Sequence, residues 1–312
     1  MDDLGERLRG RVQGRLQELV RLPDFTVPEG RWLELPRRGR TWLTDLAGPT
    51  PDAPAVVLLH AVGCTGLLTW FPALAALTER YRVITFDQRW HGRGIVSDSF
   101  AVSDCADDVA VVIAALDLVD PVVAGYSMGS IIAQRVWRQH PDVVGGLVLA
   151  ATTDHFRNTA PERLFHAGME FGMGSLRALA RSRTLQRGAL RTAEALVDTE
   201  ASDTQEWALE EWRQTSPWAI GQAVASLGRF HSTPWLPRID VPTAVVVTAR
   251  DKVLSPDGQR RVAAAIPGAT VHETPVGHAG CVLQADRFVP VLVEAVDTTA
   301  GRVESIHRAR TR

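Results

Sequence analysis

The 312-residue sequence has little of what builds disulfide frameworks, glycan sites or membrane spans. Its three cysteines, Cys64, Cys105 and Cys281, are too few and too scattered for a disulfide framework or a Cys-rich zinc site. No run of about 18 apolar residues predicts a transmembrane helix, and no apolar segment of the signal-peptide type follows the N-terminus. The one asparagine, Asn158, does not begin a glycosylation sequon. We therefore predict a cytoplasmic protein.

Excess charge of either sign is also missing. The formal net charge is −2, which argues against a strongly basic nucleic-acid binder. Hydrophobic residues make up 45% and charged residues 22% of the chain, as in an ordinary globular protein with a sizeable core. The predicted partner is a small-molecule substrate. No metal-ligand spacing is present, so no metal or cofactor is predicted, and the oligomeric state, a homo-oligomer included, stays open.

Short apolar runs alternate with helical segments, which favours a parallel sheet covered by helices on both faces. The pattern pauses over residues 153–234, which read as a helical insertion. We predict a core over 1–152 and 235–312, with an amphipathic helix at 1–22 and a tail that frays from Gly301. Strands are predicted at 31–35, 41–46, 55–59, 82–86, 121–125, 147–150, 243–248 and 270–273, and core helices near 70–80, 103–118, 129–140, 257–266 and 284–296.

The most informative segment is V-V-A-G-Y-S-M-G-S over residues 122–130. An apolar strand ends in G-x-S-x-G and passes directly into a helical pattern, which is the context of a nucleophile elbow. Gly125 and Gly129 remove side chains that would clash in so sharp a turn. Ser127 is therefore the predicted nucleophile, and the Met128 N–H is a predicted donor to a substrate oxyanion.

A serine nucleophile needs a base, and the base needs an acid to orient it. Among nine histidines, His278 lies in a small-residue loop after the last strand, at the sheet edge where open α/β folds place their sites. Asp251 follows the strand at 243–248 and is the predicted acid, with Asp154 as the alternative. The chain order Ser127, Asp251, His278 is the one expected on an α/β-hydrolase sheet.

A second oxyanion donor should come from the loop that follows the strand at 55–59. By position in H-A-V-G (residues 60–63) it is the Val62 N–H. Cys64 beside it reads as a small packing residue.

These motifs together resemble the α/β-hydrolase superfamily, specifically the serine hydrolases with a helical cap, which include esterases and lipases. The resemblance covers about 25–152 and 235–300 and also rests on D-Q-R-W-H-G-R-G (residues 87–94). It implies an eight-stranded, mostly parallel sheet with a cap between strands six and seven. It implies Ser127 as nucleophile, His278 as base, Asp251 as its partner, and Val62 and Met128 as oxyanion donors.

Two residues depart from the usual pattern of this family. Ala61 and Trp90 each stand where glycine is usual, and Trp90 either fills space near the pocket or covers the sheet end. Aromatic and apolar residues over 153–234 predict an uncharged, largely apolar substrate of small to medium size. The predicted reaction is carboxylic-ester hydrolysis through an acyl-enzyme. The same triad also suits a C–C bond hydrolase, a perhydrolase, an acyltransferase or a non-catalytic ligand-binding protein, and these alternatives stay open.

Overall fold

The computed structural model describes residues 25–156 and 203–310, together with Leu22 and Gly168. Within these residues the chain builds one eight-stranded sheet in the order β1-β2-β4-β3-β5-β6-β7-β8. Strand β2 is antiparallel to β1 and β4, and the remaining neighbours pair in parallel. The predicted α/β fold with a mostly parallel eight-stranded sheet is therefore confirmed. The strands are Arg31–Leu35 (β1), Gly39–Leu46 (β2), Ala55–Leu59 (β3), Arg82–Phe86 (β4), Val122–Tyr126 (β5), Gly146–Ala150 (β6), Thr243–Thr248 (β7) and Thr270–Thr274 (β8).

Helices cover both faces of the sheet because its central strands are apolar on both sides. In β3, Val57 and Leu59 belong to one buried cluster, and Val56 and Leu58 to a second cluster on the opposite face. Helices α2, α3 and α6 supply the first cluster, and α1 and α8 the second. The helices are Gly66–Thr78 (α1), Val102–Ala115 (α2), Met128–Gln139 (α3), Asp203–Arg213 (α4), Pro217–Leu227 (α5), Pro256–Ala265 (α6), Gly280–Leu283 (α7) and Ala285–Arg310 (α8).

The stretch between β6 and β7 contains the predicted insertion. Its described part carries α4 and α5, while residues 157–167 and 169–202 lie outside the described residues, as does most of the predicted helix at 1–22. The division into a core and a cap over 153–234 stays a prediction.

The prediction that the tail frays from Gly301 is wrong. Helix α8 continues without a break from Ala285 to Arg310. Val303 packs against the buried cluster beneath the sheet, and Arg302 donates a 2.9 Å hydrogen bond to the Gly268 carbonyl. The arginine-rich composition suggested a solvated tail and gave no sign of these contacts.

No helix among the described residues has the length and hydropathy needed to cross a membrane. Loops that follow six of the strands, β3 to β8, carry His60, Asp87, Ser127, Asp154, Asp251 and His278. The carboxyl ends of the parallel strands share one edge of the sheet, so these side chains gather at that edge.

Candidate active site

Ser127 occupies the turn between β5 and α3 in a backbone conformation that few side chains adopt. Its φ is 52° and its ψ is −114°. The Ser127 N–H extends the sheet by donating to the Ala150 carbonyl at 3.0 Å, and its carbonyl accepts from the Ser130 N–H at 3.0 Å and the Ser130 hydroxyl at 2.7 Å. These bonds fix the strained residue. Its hydroxyl makes no capping bond to the helix and is free to face another partner.

The turn is possible because helix α3 approaches the end of β3 very closely. A Cβ added to Gly129 would lie 2.0 Å from the Leu59 carbonyl oxygen. One added to Gly125 would lie 2.2 Å from the backbone of Gly129. Both distances are far inside van der Waals contact, so the two glycines are required by space.

Three side chains form an unbroken hydrogen-bonded chain at this edge of the sheet. The Ser127 hydroxyl lies 3.0 Å from His278 Nε2, and His278 Nδ1 lies 2.7 Å from Asp251 Oδ2. Ser127 and Asp251 are buried, while His278 keeps a partly exposed face. The structure therefore brings together the three residues that were predicted as nucleophile, base and acid. Their spacing suits proton transfer from the hydroxyl to the imidazole.

Asp251 is held as a carboxylate by four donors. Its Oδ1 accepts from the N–H groups of Val253 and Leu254 at 2.8 and 2.9 Å. Its Oδ2 accepts from the Thr248 hydroxyl at 2.9 Å and faces His278. Burial acts to raise the pKa of Asp251, but the hydrogen bond and charge of His278 and the two backbone donors outweigh it, so that the pKa lies below its ordinary value.

Backbone bonds tie the acid loop to the loop that carries His278. The N–H groups of Ala249 and Arg250 donate to the carbonyls of Thr274 and Val276, both at 2.9 Å. The Tyr126 hydroxyl, at the end of β5, donates to the His278 carbonyl at 2.8 Å. The imidazole is therefore positioned from the strands on both sides of it.

The alternative acid, Asp154, faces elsewhere. Its Oδ2 accepts from the Thr233 hydroxyl at 2.8 Å, and its Oδ1 lies 3.0 Å from the neighbouring His155. Among the described residues, only His278 is found bonded to Ser127, and His166 lies outside them. Five other histidines bond to different partners. Their partners include Gln88 for His60, Arg89 for His91, Asp107 for His140, Thr270 for His272 and Asp120 for His307.

The loop from His60 to Thr65 forms a tight turn beside the serine. The Cys64 N–H donates to the Ala61 carbonyl at 3.3 Å, and Gly63 has a φ of 77°, a combination typical of a type II turn. Val62 lies at the tip of this turn. Met128 begins α3, so its N–H has no acceptor within the helix. The Met128 N–H therefore follows the serine directly with no acceptor in the helix, and the role of the Val62 N–H as second oxyanion donor stays a prediction.

The His60 side chain is a neutral imidazole that holds the start of this turn in place. Its Nε2 accepts from the Gln88 N–H at 2.8 Å, so Nδ1 carries the proton and donates to the Ala61 carbonyl at 2.7 Å. Burial lowers the pKa of His60 to about 3, with His91 adding to the effect. Burial likewise lowers the pKa of His91 to about 4.

Of the two unusual residues, Trp90 takes the conformation that glycine would allow. Its φ is 66°, in the left-handed region. Its indole N–H donates to the Ser97 carbonyl at 2.8 Å, and its ring packs near Phe100. Trp90 thus covers the sheet end and holds the following loop. Ala61 lies outside the left-handed region, so its methyl group is tolerated there.

A family model described as the alpha/beta hydrolase fold matches residues 54–284. The chain belongs to the α/β-hydrolase fold family. It is 30% identical over 254 residues to a pimeloyl-[acyl-carrier protein] methyl ester esterase of Chromobacterium violaceum, covering 80% of this chain and 96% of that enzyme.

Two further relatives agree with this family. A 97-residue stretch is 35% identical to 3-oxoadipate enol-lactonase 1 of Acinetobacter baylyi, covering 31% of this chain and only 36% of that enzyme. The solved structure of an esterase from Exiguobacterium antarcticum superposes with a TM-score of 0.68 at 20% identity, covering 86% of this chain and all of that one. The chain is thus an enzyme of the hydrolase type.

Helix α4 of this α/β-hydrolase, in the stretch between β6 and β7, is anchored to two loops of the sheet edge by a buried carboxylate. Glu211 lies 3.1 Å from the Arg93 guanidinium and accepts from the Thr65 hydroxyl, which also caps helix α1. The Gly92 N–H donates to the Thr215 hydroxyl at 3.0 Å. The insertion is therefore fastened to the two core loops that follow β3 and β4.

Helix α5 brings an apolar side chain onto the turn at residues 60–65. A Cβ added to Gly63 would lie 3.2 Å from Ile220 Cδ1. Ile220 is only partly buried, and it lies next to Gly63, the residue that follows Val62. Ile220, Thr248 and Tyr126 were not singled out from the sequence. Thr248 alone had a sequence signal, as a polar residue ending an apolar strand three residues before the predicted acid.

We expect Gly129→Ala to disrupt this α/β-hydrolase at the turn around Ser127. The added methyl group collides with the Leu59 carbonyl, so the variant should lose about 3 kcal/mol or more of unfolding free energy, measured by urea denaturation. Gly301→Ala is the matched control, because Gly301 lies within α8 with open space around it. There alanine should raise stability by about 0.5–1 kcal/mol. Equal effects at the two positions would contradict the close-approach argument.

A second prediction concerns stability and pH. His60 and His91 have pKa values of about 3 and 4, so the unfolded chain binds more protons than the folded protein below their ordinary value of 6.5. The contribution of these two histidines to the unfolding free energy is fully present above pH 6.5 and is lost as the pH falls. Burial raises the pKa of Asp87 from its ordinary value of 3.8 to about 6, so between these values the folded protein binds more protons at this group than the unfolded chain does. Acidification therefore stabilises the protein through Asp87, and this gain offsets most of the loss from one of the two histidines.

The unfolding free energy should therefore fall by about 2 kcal/mol between pH 7 and pH 5, measured by urea denaturation at each pH. His91→Asn removes one of the two lowered pKa values while its amide keeps a donor for the Arg89 carbonyl, so its loss over this range should be much smaller. The control, His307→Asn on the exposed end of α8, should follow the wild type. If the unfolding free energy of His91→Asn fell with pH as steeply as that of the wild type, the lowered pKa of His91 would be refuted as a cause of the pH dependence.

Proposed function

We propose that this protein is a serine esterase that cleaves a carboxylic ester of a small to medium, largely apolar substrate through an acyl-enzyme. The observation that carries the proposal is the hydrogen-bonded chain from Ser127 through His278 to Asp251, with spacings of 3.0 and 2.7 Å. The names of two relatives, a methyl ester esterase and an enol-lactonase, describe enzymes acting on open and cyclic esters, which share one acyl chemistry.

In the acylation step, Ser127 Oγ attacks the ester carbonyl carbon while its proton passes to His278 Nε2. The carbonyl oxygen gains the negative charge and accepts hydrogen bonds from the N–H groups of Val62 and Met128. Asp251 stabilises the imidazolium across the 2.7 Å bond. The C–O bond to the leaving group then breaks, and the alkoxide takes the proton from His278 and departs as an alcohol.

Deacylation repeats the same proton path with water. His278 Nε2 takes a proton from a water molecule as the water oxygen attacks the acyl carbon of the Ser127 ester. The tetrahedral intermediate collapses, its C–O bond to Ser127 breaks, and the serine oxygen regains its proton from His278. The acyl group leaves as a carboxylic acid, and the enzyme returns to its starting state.

The side chains that border Val62 favour an apolar substrate. Ile220 lies against the turn at residues 60–65, and the partly buried Val62 side chain packs on the core. The charged groups of that neighbourhood, Glu211 and Arg93, bond to each other. A substrate whose carbonyl oxygen faces the Val62 N–H therefore meets hydrocarbon on the side of helix α5.

Ser127→Ala tests the nucleophile. We expect kcat for p-nitrophenyl esters to fall by about 10⁴-fold or more, because no other group takes over the covalent step. A fluorophosphonate probe should label the wild type once per chain and leave Ser127→Ala unlabelled, as read by mass spectrometry. Near-native turnover in the variant would refute the serine mechanism.

A matched pair of carboxylate variants tests the acid. Asp251→Asn should reduce kcat by about 10⁴-fold, since the amide cannot stabilise the imidazolium and favours the wrong tautomer. Asp154→Asn changes the same chemical group at the neighbouring strand end and should keep kcat within about twofold, because Asp154 accepts from the Thr233 hydroxyl and faces His155, away from Ser127 and His278. The reverse result would make Asp154 the acid.

The length preference for the acyl chain tests the apolar pocket. Ile220→Ala opens space beside Val62 and should raise the ratio of kcat/KM for octanoate over butyrate esters by about tenfold. Ile306→Ala, at an exposed position on α8, is the control and should leave the ratio unchanged. An unchanged ratio in Ile220→Ala would place the acyl chain elsewhere.

A further inference from the structure

Behind the Asp251 carboxylate, away from His278, lie two buried neutral side chains that the ester chemistry above does not use. Thr248 ends strand β7, and Gln259 projects from helix α6, and neither is exposed to solvent. The Gln259 amide bonds to the Thr248 N–H at 2.9 Å, to the Thr248 hydroxyl at 2.8 Å and to the Leu254 carbonyl at 2.9 Å. The amide thus spans both ends of the loop that carries Asp251.

The two backbone partners decide which way the Gln259 amide faces. The Thr248 N–H can only donate, so it requires the oxygen, Oε1. The Leu254 carbonyl can only accept, so it requires the nitrogen, Nε2. The second N–H of Nε2 is then left for the Thr248 hydroxyl oxygen at 2.8 Å.

This orientation in turn directs the hydroxyl hydrogen of Thr248. The hydroxyl oxygen already accepts from Gln259 Nε2, and its own hydrogen has two acceptors within reach, Asp251 Oδ2 at 2.9 Å and Gln259 Oε1 at 3.2 Å. The hydrogen goes to Asp251 Oδ2, because this oxygen is closer and belongs to a carboxylate. The same oxygen, Oδ2, faces His278 Nδ1 at 2.7 Å. A directed series of bonds therefore continues from α6 through Thr248 to the acid, and from the acid to His278 and Ser127.

We propose that Thr248 and Gln259 are positioning residues for the reaction: Gln259 aims the Thr248 hydroxyl at Asp251 Oδ2 and thereby holds that oxygen in line with His278 Nδ1. The inference rests on the proposed function, because it assigns both residues to the same triad. They act through Asp251 and touch neither the substrate nor the reacting atoms.

The Thr248 bond also shares the negative charge of Oδ2 with a second donor. Without the hydroxyl, this oxygen would be held by His278 alone, and rotation about the Cβ–Cγ bond would be restrained only by the two N–H bonds to Oδ1. The charge would also act more strongly on the imidazolium, favouring the protonated base. Loss of the hydroxyl should therefore lower kcat and move the acid limb of the pH–rate profile to higher pH.

The test compares Thr248→Val, which removes the hydroxyl and keeps the shape, with Thr248→Ser, which keeps the hydroxyl. We expect Thr248→Val to lower kcat on p-nitrophenyl butyrate by about tenfold with KM changed by less than about twofold, and to shift the acid limb upward. Thr248→Ser should restore both. Thr243→Val is the matched control, because Thr243 is a buried threonine at the other end of β7 that bonds to the Val241 carbonyl. It should keep the wild-type profile.

Gln259→Met tests whether the amide acts through the hydroxyl. Alone it should lower kcat, and the double variant with Thr248→Val should lose less kcat than the product of the two single losses, since both changes break the bond between the amide and the hydroxyl. The part of the Gln259→Met loss that remains in the double variant comes from its two bonds to the loop backbone. If the loss of kcat in the double variant equalled the product of the two single losses, the proposal that Gln259 acts through the Thr248 hydroxyl would be overturned. A folded Thr248→Val with the wild-type kcat and pH profile would also overturn it.

A readout without substrate separates this inference from the proposed function. The proton between His278 Nδ1 and Asp251 should give a downfield NMR resonance, assigned by its loss in His278→Gln. It should persist in Thr243→Val and Thr248→Ser, and shift or broaden in Thr248→Val. An enzyme that turns over no ester but shows this pattern would refute the esterase proposal alone. A resonance unchanged in Thr248→Val would refute the positioning role alone.

Discussion

The contact on which the site depends is the approach of Gly129 to the Leu59 carbonyl, where a Cβ would lie only 2.0 Å from the oxygen. It brings the first turn of α3 against the end of β3, and Ser127 must then take its strained conformation between them. The same approach sets the Met128 N–H beside the turn that carries Val62. One steric constraint thus places the Ser127 hydroxyl and the Met128 N–H at the end of β3, before any charged group contributes.

Two buried carboxyls at this sheet edge show how the number of donors decides ionisation. Asp251 has four donors, and its pKa lies below the ordinary value although burial acts to raise it. Asp87 accepts from the Gly66 and Arg93 N–H groups and lies 3.7 Å from the Arg93 guanidinium, but burial outweighs these groups and raises its pKa to about 6. The first therefore suits a group that must stay negative beside an imidazolium. The second holds loops together, where a fixed charge is not required.

Much of this architecture could be predicted because its signals are local. The strands at 31–35, 55–59, 82–86 and 243–248 fall where continuous or alternating apolar runs indicate them. The turn around Ser127 follows from the glycine spacing between an apolar strand and a helical pattern. The bonds between Gln259 and Thr248 join residues eleven positions apart, and they form only because the loop folds back on itself. Hydrophobic periodicity carries no information about such contacts. Helix α8 continues beyond its predicted end, and Val303 in this extension packs against the second buried cluster beneath the sheet. Composition does not reveal this contact.

The division of labour between sheet and insertion explains why the chemistry is easier to infer than the substrate. The sheet edge fixes the reacting groups through backbone bonds and steric limits that tolerate little change. The insertion is fastened by Glu211 to Arg93 and Thr65, which also belong to loops after β3 and β4, so it is registered to the same edge. Among its described residues, the contact of Ile220 with Gly63 depends on side-chain volume. Volume can vary without disturbing the triad, so specificity can change while the acyl chemistry stays the same.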